Sequence, residues 1–122
     1  MRKVILTATC DGAGAATVNG SANIMGKLFA IAYLPGTIAN GATIVVTTEG
    51  VMSKPLLTKA TAGTSDTVFY PREIMHAVAD GSALTATTGS DRGLPLVNGT
   101  PRLVVSAGGA SGKGSAILYY ED

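Results

Sequence analysis

A chain of 122 residues has room for one hydrophobic core, so residues 1–122 are read as a single domain. With 46% apolar residues but no Trp and only 5% aromatics, that core must be filled by Ala, Val, Leu and Ile. A net charge of +1 is too weak to hold nucleic acid or an anionic membrane, and no apolar run approaches the roughly eighteen residues of a membrane-crossing helix. Charged residues make up 14%, against about 25% in an average domain. So neutral a surface tends to associate, which favours coverage by other chains.

The first ten residues have the outline of a lipoprotein signal, ending at Cys10. The apolar stretch is too short for one, and Thr7 stands where such a signal prefers Leu. Alternation of Val4, Leu6 and Ala8 instead predicts a first strand over 3–9. A lone Cys10 excludes an internal disulfide framework and fits synthesis in a reducing cytosol. Asp11-Gly12 is a favoured turn dipeptide, so 15–19 is expected to form a hairpin with the first strand.

Residues 25–34 form the third predicted strand. Strict alternation would put Phe29, Ile31 and Tyr33 on one face and Leu28, Ala30 and Ala32 on the other. Both faces are apolar, which suits a central position or a subunit contact. Pro35-Gly36 stops it. In 42–48, Ile44 and Val46 face one way and Thr43, Val45 and Thr47 the other. Pro55 marks 54–58 as an edge strand. Residues 59–66 read as a loop, 67–70 as a strand stopped by Pro71, and 72–80 as the only plausible helical turn. A weak strand at 84–88 and an exposed loop at 89–98 follow.

Pro101 is expected to introduce a closing hairpin. Its strands would be 102–107 and 115–120, and its tip the Gly-rich stretch from Gly108 to Gly114. Gly112-Lys113 imitates part of a phosphate-binding loop. Yet Ala107 and Gly114 stand at its first Gly and its Ser/Thr positions, and strand-like residues follow where a helix is required. The tip is therefore read as an exposed, mobile loop. About eight short strands separated by turns predict an all-β domain, a single antiparallel β-sandwich or a jelly-roll-like barrel.

Little in the sequence supports chemistry. His76 is the sole histidine and Cys10 the sole cysteine, so neither a catalytic triad nor a zinc site has its parts. Asp11-Gly12-Ala13-Gly14 begins like a calcium loop but lacks the later acidic positions. The two Asn-Gly-Ser/Thr matches, at Asn19 and Asn98, read as turns. No catalytic residue, metal or cofactor is predicted. The most polar spot beside a firm strand is Arg72-Glu73, directly after Tyr70-Pro71. Tyr and Arg are enriched in interface cores, so Tyr70, Arg72, Tyr119 and Tyr120 are predicted contact residues, with Glu73 as the neighbour of Arg72.

Three stretches carry a resemblance: VILTATCDGAGAATV, VFYPREIMHAVADGSAL and PRLVVSAGGASGKGSAILYYED. Together they resemble small β-sandwich virion proteins of tailed bacteriophages, of the capsid decoration or cement type. The resemblance spans most of the chain and includes no catalytic motif. It implies a non-enzymatic subunit on the capsid exterior, made in the bacterial cytoplasm. Its partners would be the major capsid protein and copies of itself, expected as a homotrimer, with no direct contact to nucleic acid or membrane. The alternatives are a tail or head-tail connector component, a carbohydrate-binding adhesin module and, last, a small hydrolase.

Overall fold

The computed structural model describes residues 1–74 and 92–121, and its regular elements there are all β-strands. The strands are β1 (Arg2–Thr9), β2 (Ala16–Asn19), β3 (Ile24–Leu34), β4 (Thr43–Glu49), β5 (Lys54–Lys59), β6 (Thr67–Phe69), β7 (Glu73–Ile74), β8 (Arg92–Gly93), β9 (Leu96–Ser106) and β10 (Lys113–Glu121). The expected helical turn at 72–80 begins instead with β7, which pairs with β8. The remainder of that segment, His76 and the expected strand at 84–88 lie outside the described residues.

Eight strands form one antiparallel sheet, six along the path β1-β10-β3-β9-β4-β5, with β2 on β9 and β6 on β3. The path folds over on itself as a small sandwich. A front half holds β1, β10, β3 and β6, and a back half holds β2, β9, β4 and β5. The long strands β3 and β9 join the halves by pairing Ile24 to Lys27 with Gly99 to Leu96. Alternate residues from both halves fill the space between, including Leu6, Leu118, Ile31 and Tyr33 from the front and Leu103, Val105, Ile44 and Val46 from the back. The buried Thr48 satisfies its hydroxyl by donating to the Met52 carbonyl at 2.9 Å.

Both expected hairpins are absent. β1 pairs with β10 and β2 with β9, so the chain crosses from front to back between them. β9 and β10 likewise lie in opposite halves, and residues 107–112 form a second crossing arch. The two arches clasp. Gly108 N donates to Gly14 O at 2.8 Å, Cys10 N to Gly112 O at 2.7 Å and Ser111 N to Asp11 O at 3.3 Å. The turn after β3 joins them, with Ala39 N donating to Gly108 O at 2.9 Å and Lys113 N to Thr37 Oγ1 at 2.8 Å. A side chain at Gly14 (φ 81°) would place its Cβ 2.7 Å from Gly109 N. At Gly112 it would lie 2.5 Å from Gly108 O. The glycines therefore serve close backbone packing, and the stretch read as an exposed tip has Gly108 and Gly112 buried in a junction.

Pro101 sits inside β9 rather than before it. In an antiparallel ladder the N and O of one residue point to the same side. Pro101 O accepts from Gly20 N at 2.8 Å, so its nitrogen faces the break between β2 and β3. The missing N–H costs the ladder with β4 nothing. Pro55 behaves as expected, in β5 at the end of the path.

The face assignment in β3 also needs correction. Tyr119 faces Ala30 and Tyr120 faces Leu28, which leaves Phe29 as an extra residue, a β-bulge. The bulge reverses the alternation. Leu28 joins Ile31 and Tyr33 in the core, and Phe29 turns outward.

Leu103 is fully buried at the centre of the back half. Leu103→Ala is predicted to cost about 2–5 kcal/mol in denaturant unfolding, as a cavity in a closed core does. Asp11 Oδ1 accepts from Ala13 N at 2.8 Å and from Ala15 N at 3.1 Å, forming the first arch. The N–H groups of Ala15 and then Ala13 hold this carboxyl below its ordinary range. A depressed folded value gives stability above the unfolded value that is lost as pH falls through the folded one. Asp11→Ala should therefore lower Tm at neutral pH, and the gap to wild type should close as melts are taken to acid. A gap constant with pH would refute the role of the charged form.

Candidate interaction face

The outward side of the back half is polar or evenly mixed. Two of its transverse rows read Thr17, Val104, Val45, Thr58 and Asn19, Arg102, Thr47, Pro55. Its charges are engaged: Arg102 Nη1 contacts Glu49 Oε1 at 3.0 Å and its Nε donates to Asn19 Oδ1 at 2.8 Å.

The front half differs. Its central outward row is Ile5, Ile117, Ala32 and Val68, apolar across all four strands. Ala30 and Ala32 are small enough to be buried between their neighbours, which leaves the row low and flat. Ile5 is 53% exposed, Val68 47%, Phe29 40% and Tyr70 59%. One flank carries Lys3, Tyr119 and Ala30, and the other carries Thr7, Ser115 and Leu34. Thr7 and Ser115 share a hydrogen bond of 3.1 Å between their hydroxyls.

The bulge supplies the most organised corner of this face. An extra residue leaves backbone groups without ladder partners. Arg72 Nη1 donates to Phe29 O at 3.1 Å and to Pro71 O at 2.7 Å. Its guanidinium lies 5.8 Å from the centre of the Phe29 ring and 5.9 Å from that of Tyr70. Each contact is a cation–π interaction of modest strength at an exposed site, about 0.5–1 kcal/mol. Two rings and a guanidinium held in register form a pre-organised anchor of the type that dominates interfaces.

The structure thus gathers Tyr70, Arg72 and Tyr119 on one face. Tyr120 is separated from them. It packs against the core and lines a cleft of about 350 Å³ with Arg2, Asn23, Ile24, Met25 and Gly26. One position along β10 changes the face, so two adjacent tyrosines cannot serve one surface. The backbone of Glu73 lies in β7, and its side chain is outside the description. Sequence reasoning missed Phe29, Ile5, Ile117 and Val68. The first was hidden by the bulge. The others become a row only through pairings between strands far apart in sequence.

Among the described residues the other polar groups form no reactive constellation. Among the described residues no three His, Cys, Asp or Glu side chains gather to hold a metal. Burial, then the neighbouring Asp11, pushes the Cys10 thiol up, away from its reactive thiolate. Burial, then Cys10, pushes the Tyr33 phenol up as well. Tyr33 OH is buried with no hydrogen-bond partner among the described residues. Such a group costs about 1–3 kcal/mol. Tyr33→Phe should therefore leave unfolding stability unchanged or raise it, and a loss above about 1 kcal/mol would reveal a partner for the hydroxyl.

No protein family matches the chain, and no curated protein or solved structure does so either.

Proposed function

We propose that the protein is a non-enzymatic virion structural subunit of a tailed bacteriophage, which decorates the exterior of the assembled head and stabilises it. Its partner on this reading is the major capsid protein, met through the front face. The observation that supports the reading most is the apolar row Ile5, Ile117, Ala32, Val68 with the Phe29-Arg72-Tyr70 anchor at its border. A flat, low-charge sheet face suits a repeating protein surface, where many weak copies act together. Burying it is worth about 25 cal/mol per Å² of apolar area. The resemblance in sequence supplies the kind of partner, and the small all-β sandwich is compatible with it.

The test uses phage heads stripped of decoration. Wild-type protein should sediment with them and raise the temperature at which they break. Val68→Lys and Tyr70→Ala should each weaken binding at least about tenfold, the effect of losing roughly 1.4 kcal/mol. Thr58→Lys, on the back half, should bind as wild type. Equal binding by all three variants would move the contact to another surface. Failure of wild type to bind any head would overturn the decoration reading.

A further inference from the structure

The borders of the two halves are not treated alike. β5 carries Pro55 and a bulge opposite Val46 and Thr47, while β6 has three residues and β2 four. Short strands, Pro and bulges are devices that stop a sheet from accepting another strand. β1 has none of them. It runs eight residues in unbroken register with β10, its only strand partner among the described residues. Its middle is Val4-Ile5-Leu6, and its cations, Arg2 and Lys3, are confined to one end.

We infer that β1 pairs edge to edge with β1 of a second copy, antiparallel, about a two-fold axis passing beside Ile5. Three observations select the occupant and the register. First, the pairing is compatible in charge. Arg2 and Lys3 of one copy lie opposite Ala8 and Thr7 of the other, so like charges stand at opposite ends of the ladder. Second, it is compatible in face. Val4 meets Leu6 on the core side, and Ile5 meets Ile5 of the second copy on the outward side. Third, this register alone makes the outward row continuous. The apolar line Val68, Ala32, Ile117, Ile5 runs on into its mirror sequence across eight strands. Moving the axis to Val4 or Leu6 would set Ile5 against Lys3 or Thr7 and break the line.

A two-fold edge contact is self-complementary and closes at a pair, whereas the threefold ring expected from the resemblance needs two different surfaces. The inference rests on the strand edge and stands whether or not the front face seats on a phage head.

Analytical sedimentation of the full chain and three cysteine variants test it. Wild type should sediment as a dimer at concentrations up to about 100 µM, a range that detects weak association. Ile5→Lys puts two ammonium groups opposite one another and should weaken self-association at least tenfold, about 1.4 kcal/mol, with an unchanged β-type circular dichroism spectrum. In the proposed register, Ile5 of the two copies has Cα atoms about 4.5–5.5 Å apart, within disulfide reach. Thr7 of one copy is about 14 Å from Thr7 of the other. Under mild oxidation Ile5→Cys should convert most of the chain to a disulfide dimer, with Cys10 left in place and buried. Thr7→Cys should cross-link poorly alone and well when mixed with Lys3→Cys. A monomeric wild type, a trimer unaffected by Ile5→Lys, or equal cross-linking of Ile5→Cys and Thr7→Cys would each overturn the pairing.

Discussion

Three loops that meet at one end of the sandwich hold the rest of the structure in place. The arch from Cys10 to Ala15, the turn from Pro35 to Ala42 and the arch at 107–112 exchange backbone hydrogen bonds with each other rather than with their own strands. Every buried backbone group needs a partner. The arches are pressed so close that only glycine fits at Gly14 and Gly112, and each loop supplies what its neighbour lacks. The consequence is topological. A chain that crosses between halves at both arches cannot pair β1 with β2 or β9 with β10. β1 and β2, like β9 and β10, are therefore stacked across the core. Strands distant in sequence lie side by side.

That exchange of neighbours decides what the surface becomes. The back half pairs Thr- and Arg-bearing positions with one another and ends in a hydrogen-bonded, mixed face. The front half brings Ile5, Ile117, Ala32 and Val68 into line although no two of them are near in the chain. Beside them, the β3 bulge turns Phe29 outward and leaves its carbonyl to Arg72. Without the bulge, Phe29 would point into the core and Leu28 outward. The guanidinium would then have one aromatic neighbour instead of two. A single irregular residue thus sets both the packing inside the sheet and the most structured contact on its surface.

Most strands were legible, because side chains alternate with period two and Asn-Gly, Asp-Gly and Pro-Gly punctuate them, but β9 begins at Leu96, inside the stretch 89–98 expected as an exposed loop. β1, β4, β5 and β6 fall close to their predicted spans, and Pro55 marked an edge. The partners of the strands were not legible. Asp11-Gly12 turns the chain in the same way whether it closes a hairpin or begins an arch. What separates the two is the hydrogen bonding of the arch to Gly108 and Gly112, which local sequence does not contain. Pro101 was expected to introduce a hairpin, not to sit inside a strand, because its missing donor is harmless there only at the gap between β2 and β3. Tyr70, Arg72 and Tyr119 were chosen by residue type, and the fold places them on one face. Tyr120 was grouped with Tyr119 although neighbours on a strand face opposite ways.

The position of β10 has a consequence for the order of events during synthesis. This strand lies between β1 and β3, yet it is made after the nine other strands described. Until it emerges, β1 has no partner, and the front half has a gap at its middle. Closing that gap joins Arg2 to Tyr120, across nearly the whole length of the chain. Contacts so distant in sequence slow folding, because a large loop must close before any pairing rewards it. Fragments lacking β10 should therefore behave as sticky intermediates rather than smaller domains, with Val4, Ile5 and Leu6 open to any strand that arrives first.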